Sequence, residues 1–469
     1  MTSPRLSSAT ELPSSVSAPA YDRGALGPGI VHLGIGAFHR AHQAVYTQRA
    51  LQAEFGPWGI VAVNLRSPEP VQALAEQDGL YSVLMGERDG DQAEVIGATI
   101  DWICAAEQRD QVLAYLADPQ IRIVTLTVSE KAYGLHPGTG GLDPAHPAIA
   151  ADLQNPQAPV GAVGFLVKGL ALRQARNVPP FTVLCCDNLP ANGRVVRRLV
   201  LDMAERRDPE LARWIAEQGA FPCSMVDRIV PAATDDTRQR AAELLGVEDR
   251  LAIETEPFIQ WIIEDKFVSG RPQWEAGGAV FVKDVEPYEK MKLRLLNGSH
   301  TLIAHLGILH GLDYVRDVMT MPALAAEAKR HMQAAVTTLD PVSGIDLDAY
   351  MQQLLERFAN PRIAHRNIQI AMDTSQKLPQ RILAPAMDAL AAGGNGAAFA
   401  KAVGVWFASL RQRMDCNDPR REELVAAAQE NDPADPSAPF FRIEGLFPVE
   451  LIKARAWRDL VNAELANWP

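Results

Sequence analysis

From residue 30 to about residue 231, short apolar runs rich in β-branched residues alternate with stretches whose apolar residues recur at helical spacing. Runs of four to eight apolar residues fit buried strands, and apolar positions at i, i+3, i+4 and i+7 fit amphipathic helices. Strands are predicted at 30–33, 58–63, 80–85, 93–102, 121–128 and 181–186, with a further strand-like piece at 222–231. Helices are predicted at 43–55, 69–77, 108–117, 164–176 and 194–206. Residues 134–159, rich in Pro, Gly and His, read as a long loop over a site. Segments 256–265 and 267–274 carry more aromatic and charged residues than a surface helix requires. Beyond about Asp284 the pattern is almost wholly helical, with Ala- and Leu-rich stretches such as 323–335 and 397–413 and a Gly-rich loop at 391–397. A β/α alternating half therefore precedes a helical half.

Composition narrows the classes. At 469 residues the chain is long enough for two or three domains, and 47% hydrophobic against 22% charged residues is an ordinary globular balance. A formal charge of −12 argues against a nucleic-acid partner, which needs clustered positive charge. It does not argue against an anionic small molecule, which one or two local cations can hold. No apolar run approaches the roughly 18 residues of a membrane span, and residues 1–27, rich in Ser, Pro and Ala, lack the apolar core of a secretory signal. That stretch reads as a flexible lead. Five scattered cysteines, an odd number, fit a reduced cytoplasmic protein better than a disulfide scaffold.

Candidate chemistry begins after the first strand, at Gly34-Ile-Gly36-Ala-Phe38-His39-Arg40-Ala-His42. Strand, Gly-x-Gly and helix in that order suit a dinucleotide, because the glycines let a pyrophosphate approach the helix N-terminus closely. His39 stands where the usual fingerprint has its third glycine, so a plain tight turn remains the alternative. The second strand ends at Arg66 and Glu69. An acid there suits the adenosine ribose and an arginine suits a 2′-phosphate, which leaves NAD against NADP open. Later strands end at Glu130-Lys131, at Asp187-Asn188 and around Asp227. In open α/β sheets ligands sit beyond such carboxyl ends, although exposed ion pairs and helix caps also account for these residue types. The fold expected is α/β, with a Rossmann-like domain at 28–284 and a mainly α-helical domain at 285–469.

The helical half opens on Met291-Lys-Leu-Arg-Leu-Leu-Asn-Gly-Ser-His300. At about 100° per residue, Asn297 lies roughly 140° and His300 roughly 80° around the helix from Lys292, so the three share one broad face. A lysine that loses part of its water there becomes useful in proton transfer. By spacing alone, an ordinary polar first turn is the favoured reading. His300, His305 and His310 diverge around the helix and no His-Glu-x-x-His or paired-cysteine motif is present, so no metal site is expected. No Gly-x-Ser-x-Gly elbow supports a hydrolase. A nicotinamide dehydrogenase, needing a cradle, a base and oxyanion donors, uses the most features. A non-catalytic dinucleotide-binding regulator is the rival reading.

Together with Cys186-Asp187-Asn188, Met225-Val-Asp227-Arg228 and Glu256-Pro-Phe, the glycine turn and Lys292-x4-Asn297-x2-His300 resemble the polyol-specific long-chain dehydrogenase/reductase family. The resemblance runs from about Val31 to beyond Arg381. It implies a metal-independent secondary alcohol dehydrogenase with Lys292 as general base; the cofactor expected is NAD, with NADP as the alternative. It also implies Asn297 and Asn188 as oxyanion donors, His300 as the residue orienting substrate oxygen, and Glu289 as an acid assisting proton passage. Gly34, Gly36, Phe38, His39, Arg40, Arg66, Glu69 and Asp227 are the implied cofactor residues. Within the family, Glu130-Lys131, the stretch 187–193 and Gln376-Lys377-Leu-Pro-Gln-Arg381 resemble the fructuronate reductases rather than the mannitol dehydrogenases. A sugar acid brings a carboxylate whose burial needs a cation, and Lys131, Lys377 and Arg381 are candidates. The expected partners are thus a sugar-acid or polyol substrate, with no nucleic acid or membrane, on a monomer or small homo-oligomer.

Overall fold

The computed structural model describes residues 4–87, 90–136, 138–430 and 432–468. The chain divides into two compact units, Met1–Glu286 and Pro287–Pro469. The first contains strands β1 (Pro28–Leu33), β2 (Gly59–Asn64), β3 (Tyr81–Glu87), β4 (Gly90–Ile96), β5 (Thr99–Cys104), β6 (Ile123–Leu126), β7 (Thr182–Cys185), β8 (Ser224–Asp227), β9 (Ile253–Thr255), β10 (Gln260–Glu264) and β11 (Val280–Val282). Five of these form a parallel sheet in the order β5-β2-β1-β6-β7. The chain winds outward from β1 in both directions, so β1 and β6 meet where the strand order reverses, the usual ligand crevice of such sheets.

Both faces of the sheet are covered, which is why its strands read as unbroken apolar runs. Val31, Leu33, Val61, Val63, Val124 and Leu126 enter one core with Phe165, Leu170 and Met203. The alternate residues Ile30, Ile60, Ala62 and Ile123 enter a second, with Tyr46, Trp261 and Trp274. The period of two along each strand sets this division.

Several boundaries differ from the sequence reading. The predicted strand 93–102 is two strands in different sheets, β4 pairing antiparallel with β3 and β5 pairing parallel with β2. Gly97 turns the chain between them; an added Cβ there would lie 2.7 Å from Pro19. The predicted loop 134–159 contains a helix, Pro147–Gln154, begun by proline at its first turn. Segment 256–265 contains β10, antiparallel to β8 and parallel to β11. The lead, read as flexible from its composition, is packed over its described part. Leu6 and Val16 enter a small core with Leu80, Leu84 and Leu245, and single bridges tie Arg5 to Glu248 and Ser17 to Glu94. Two well-placed apolar residues outweighed the bias of the Ser/Pro/Ala background.

The second unit is built of helices. The helix Gly298–Leu309 is buried over ten of its residues, from Gly298 to Gly307, and apolar around most of its circumference, as expected of a central helix. The helices Pro322–Val336 and Ala397–Gln412 pack on it. The predicted boundary near Asp284 lies two residues before the division between the units.

Candidate active site

In the first unit, Gly34 carries φ of +99°, and a Cβ there would lie 2.2 Å from the Thr127 carbonyl oxygen. Gly36 differs: a Cβ would meet nothing within 4 Å, so its hydrogen keeps the ground beyond the strand end clear. His32 holds the turn from below. Its Nδ1 hydrogen-bonds Thr125 at 2.7 Å, directly across the β1–β6 register, while Nε2 lies 2.9 Å from both the Gly34 carbonyl and the Thr127 hydroxyl. Burial pushes its pKa down to about 3, so the ring is neutral. His39, in the third-glycine position, is buried and stacks on His32 with ring centroids 3.3 Å apart. Arg40 donates to the Leu251 carbonyl at 2.6 Å and lies over the Tyr81 ring. Both side chains thus belong to the packing under the turn. Phe38 stacks on His42 at 5.0 Å. Gly34→Ala should cost about 3 kcal/mol or more through both the positive φ and the carbonyl clash, seen as a lowered denaturation midpoint.

Beyond the carboxyl ends of β2 and β5 lies a cleft of about 510 Å³ lined by Leu65, Arg66, Ala105, Arg109 and Phe165. Glu69 is exposed at the start of the helix Glu69–Ala75 and accepts a hydrogen bond from the Ser67 hydroxyl. Asp227 is buried at the end of β8. The neighbouring Arg228 donates to the Glu256 carbonyl at 3.1 and 3.2 Å and to Ala41 at 2.5 Å, closing the carboxyl end of the short helix Ala37–Ala41. The Met-Val-Asp-Arg and Glu-Pro-Phe segments therefore support the turn from a distance in sequence.

The ends of β6 and β7 are joined by Asp187. Its carboxylate accepts from Val128 N (3.0 Å), Ser129 N (3.1 Å) and the Tyr133 hydroxyl (2.7 Å). Burial nevertheless raises its pKa to about 6. These bonds hold Ser129 at φ +73°, a conformation that costs a non-glycine residue of order 1–3 kcal/mol. Glu130 and Lys131 follow, exposed, at the start of a 3-10 turn, Glu130–Tyr133, whose Tyr133 is buried, and Asn188 is exposed beside Asp187.

In the second unit, Lys292, Asn297 and His300 are 5%, 8% and 5% exposed. Between Lys292 and Gly298 the helix is not α. Residues Leu293–Asn297 form a π-turn closed by a bond from Gly298 N to Leu293 O. The wider i→i+5 turn carries Asn297 back toward the side of Lys292, where α geometry would leave it about 140° away. A second π-turn, Pro379–Leu383, packs against the first and carries Arg381. Arg381 donates to the Asn297 carbonyl at 3.5 Å and to the Thr301 hydroxyl at 3.3 Å, and a Cβ on Gly298 would lie 3.0 Å from the Arg381 carbonyl. Lys377 is held by the carbonyls of Met372 (2.5 Å) and Ile370 (3.3 Å). Glu289 lies one turn before Lys292 and is half-buried.

Asn297 Oδ1 and His300 Nε2 are buried without hydrogen-bond partners among the described residues. Leaving a buried polar atom unpaired costs about 1–3 kcal/mol, so two such atoms close to a buried lysine mark where a polar ligand completes the set. Burial, then the charges of His365, Arg357, Arg381 and Lys292, push the His300 pKa well below its usual value, which keeps the imidazole neutral. His305 sits instead between Ser409 (2.8 Å) and Thr374 (3.1 Å) in the core.

Comparison with known proteins bears on both units. The family model "Mannitol dehydrogenase Rossmann domain" matches residues 28–276, and "Mannitol dehydrogenase C-terminal domain" matches residues 284–446. The chain belongs to the mannitol dehydrogenase family. It is 43% identical over 447 residues to D-mannonate oxidoreductase of Escherichia coli strain K12, covering 93% of this chain and 92% of that one. It is 48% identical over 377 residues to YeiQ, an uncharacterised oxidoreductase of the same organism, covering 80% of this chain and 77% of that one. The mannitol 2-dehydrogenase of Pseudomonas fluorescens, solved with NAD and D-mannitol, superposes with a TM-score of 0.91 at 35% identity, over 99% of this chain and 96% of that one. The chain is accordingly an oxidoreductase with a Rossmann-like sheet domain and a helical C-terminal domain.

The Asp187 clamp, the His32–His39 stack and the paired π-turns escape a reading by periodicity. Each depends on residues far apart in sequence or on a turn width that apolar spacing does not encode. His365 and Phe358, whose rings lie 5.4 and 4.3 Å from that of His300, gave no motif signal at all.

Proposed function

We propose that the protein is an NAD-dependent, metal-independent fructuronate reductase, interconverting D-fructuronate and D-mannonate. The observation that carries the alcohol–ketone chemistry is the buried Lys292 with unpaired Asn297 Oδ1 and His300 Nε2 on one π-widened helix. The likeness to D-mannonate oxidoreductase over nearly the whole chain supports the choice of substrate.

Gly34 and Gly36 are the residues that would receive the pyrophosphate, with the Arg66-lined cleft taking the adenosine end; the open space at Gly36 fits this. Bound NADH supplies the hydride for the ketone carbon. Lys292 gives its proton to the forming alkoxide and, in the oxidation direction, its neutral amine accepts the alcohol proton. Asn297 uses its amide to hydrogen-bond the same oxygen, and we also assign an oxyanion hydrogen bond to Asn188. Neutral His300 orients the oxygen without adding charge. Glu289, one turn back, passes the proton onward.

Gly36→Ala should leave the denaturation midpoint unchanged, since its Cβ meets nothing, while raising the NADH dissociation constant about tenfold or more. Equal binding by the variant would remove Gly36 from the cradle. Lys131 is assigned to sugar-acid selection, so Lys131→Gly should lower kcat/KM for fructuronate about tenfold; an unchanged value would sink that assignment. The function itself is tested by a panel of fructuronate, tagaturonate, fructose and mannitol with NAD and NADP cofactors. Fructuronate with NADH should give the highest kcat/KM, and preference for a neutral polyol would reject the reading.

A further inference from the structure

His300 Nε2 can hydrogen-bond the reacting oxygen and Asn297 Oδ1 can accept from a substrate hydroxyl, but another unpaired atom beside His300 has no place in that scheme. His365 Nδ1 is buried without a hydrogen-bond partner among the described residues, and its ring meets that of His300 nearly edge-on (88°), centroids 5.4 Å apart. The position is built rather than incidental. Val315 N donates to the His365 carbonyl at 3.1 Å, Asn367 N donates to the Asp313 carbonyl at 2.8 Å, and Tyr314 pairs with Arg366 as an isolated antiparallel bridge. The backbone of three consecutive residues is thus pinned to the start of a neighbouring helix, Val315–Met319, which fixes where the His365 side chain leaves the chain.

The charged groups that act on the two imidazoles are positive: Arg357, Arg381 and Lys292 on His300, and Lys377 on His365. A neutral polyol gains little from such surroundings, whereas a carboxylate removed from water needs them. The spacing also suits a sugar acid. In a six-carbon ketouronate with its ketone at the second carbon, the carboxylate lies four carbon–carbon bonds away, roughly 5 Å when extended. That span is comparable to the distance between the rings of His300 and His365.

We infer that His365 is a specificity-determining residue whose Nδ1–H hydrogen-bonds the substrate carboxylate while His300 holds the reacting end. This rests on the fructuronate reading and adds to it: the imidazole supplies direction, and Lys377, fixed by its two backbone carbonyls, supplies charge.

The test compares His365→Ala, His365→Asn and His365→Gln in the full chain, using D-fructuronate and D-fructose as substrates with NADH. An asparagine amide nitrogen falls close to the position of Nδ1, whereas a glutamine amide reaches toward that of Nε2. His365→Ala should lower kcat/KM for fructuronate about 30-fold, mostly in KM, as loss of a hydrogen bond to a charged group requires. That loss should exceed the loss on fructose at least tenfold. Asparagine should restore most of the discrimination and glutamine should not. Equal losses on both substrates, or equal behaviour of asparagine and glutamine, would overturn the inference. Should the alanine variant fail to fold, the Asn/Gln comparison decides by the same criterion. A wild-type enzyme that reduces fructose but not fructuronate would remove the parent reading as well; one that prefers fructuronate while the variants keep the same preference removes only the role of His365.

Discussion

Lys292→Ala is expected to lower kcat/KM by about 10³-fold or more in both directions, the upper part of the range for loss of a general acid–base. NADH should still bind, because the glycine turn belongs to the other compact unit. Lys292→Arg should restore little: its guanidinium stays protonated and cannot accept the alcohol proton. In the oxidation direction the wild-type rate should rise with pH, since only the neutral amine is a base. Steady-state kinetics in both directions, together with a fluorescence titration of NADH, check these outcomes. Near-normal turnover by the alanine variant would dismiss Lys292 as the base.

Acid should unfold the helical unit before the sheet unit. Burial holds His305 near pKa 3, His331 and His365 near 4, and His300 well below 6.5, all in the second unit. In the first unit His32 is held near 3 and His39 well below 6.5. The sign follows from proton counting. These folded-state pKa values are depressed, so below pH 6.5 the unfolded chain binds more protons than the folded one. The stabilisation is present above 6.5 and is lost as pH falls through the window toward 4 and 3. Each such histidine adds to the loss as pH falls below 6.5, and four of those named lie in the helical unit against two in the other. Hydrogen exchange read by peptide at both pH values distinguishes the units. Loss of protection first in β1, β2 and β6 would contradict the prediction.

The sheet was legible because its strands are buried on both faces and therefore appear as continuous apolar runs, and the glycine turn because Gly34 requires a positive φ. Lys292, Asn297 and His300 could be picked out as polar residues at the head of an apolar helix. Their common face was legible too, but only as a broad one, because α spacing leaves Asn297 about 140° from Lys292 and the π-turn narrows that angle. Buried histidines were the least visible. His32 looks like one polar interruption of a strand, yet its two hydrogen-bonding nitrogens join β1 to β6 and carry the turn. The lead failed for the opposite reason: bulk composition hid Leu6 and Val16.

The paired π-turns have a consequence for how this chain tolerates insertions and deletions. A five-residue step from Lys292 to Asn297 is useful only while the helix is one residue too wide. Removing one residue from Leu293–Leu296 would let the segment relax to an α-turn with a four-residue step, which keeps lysine and asparagine on one face. Adding one residue would leave a six-residue step, about 120° around the helix at α spacing against about 40° for the four-residue step. The reading frame of this turn is therefore asymmetric, more forgiving of a loss than of a gain.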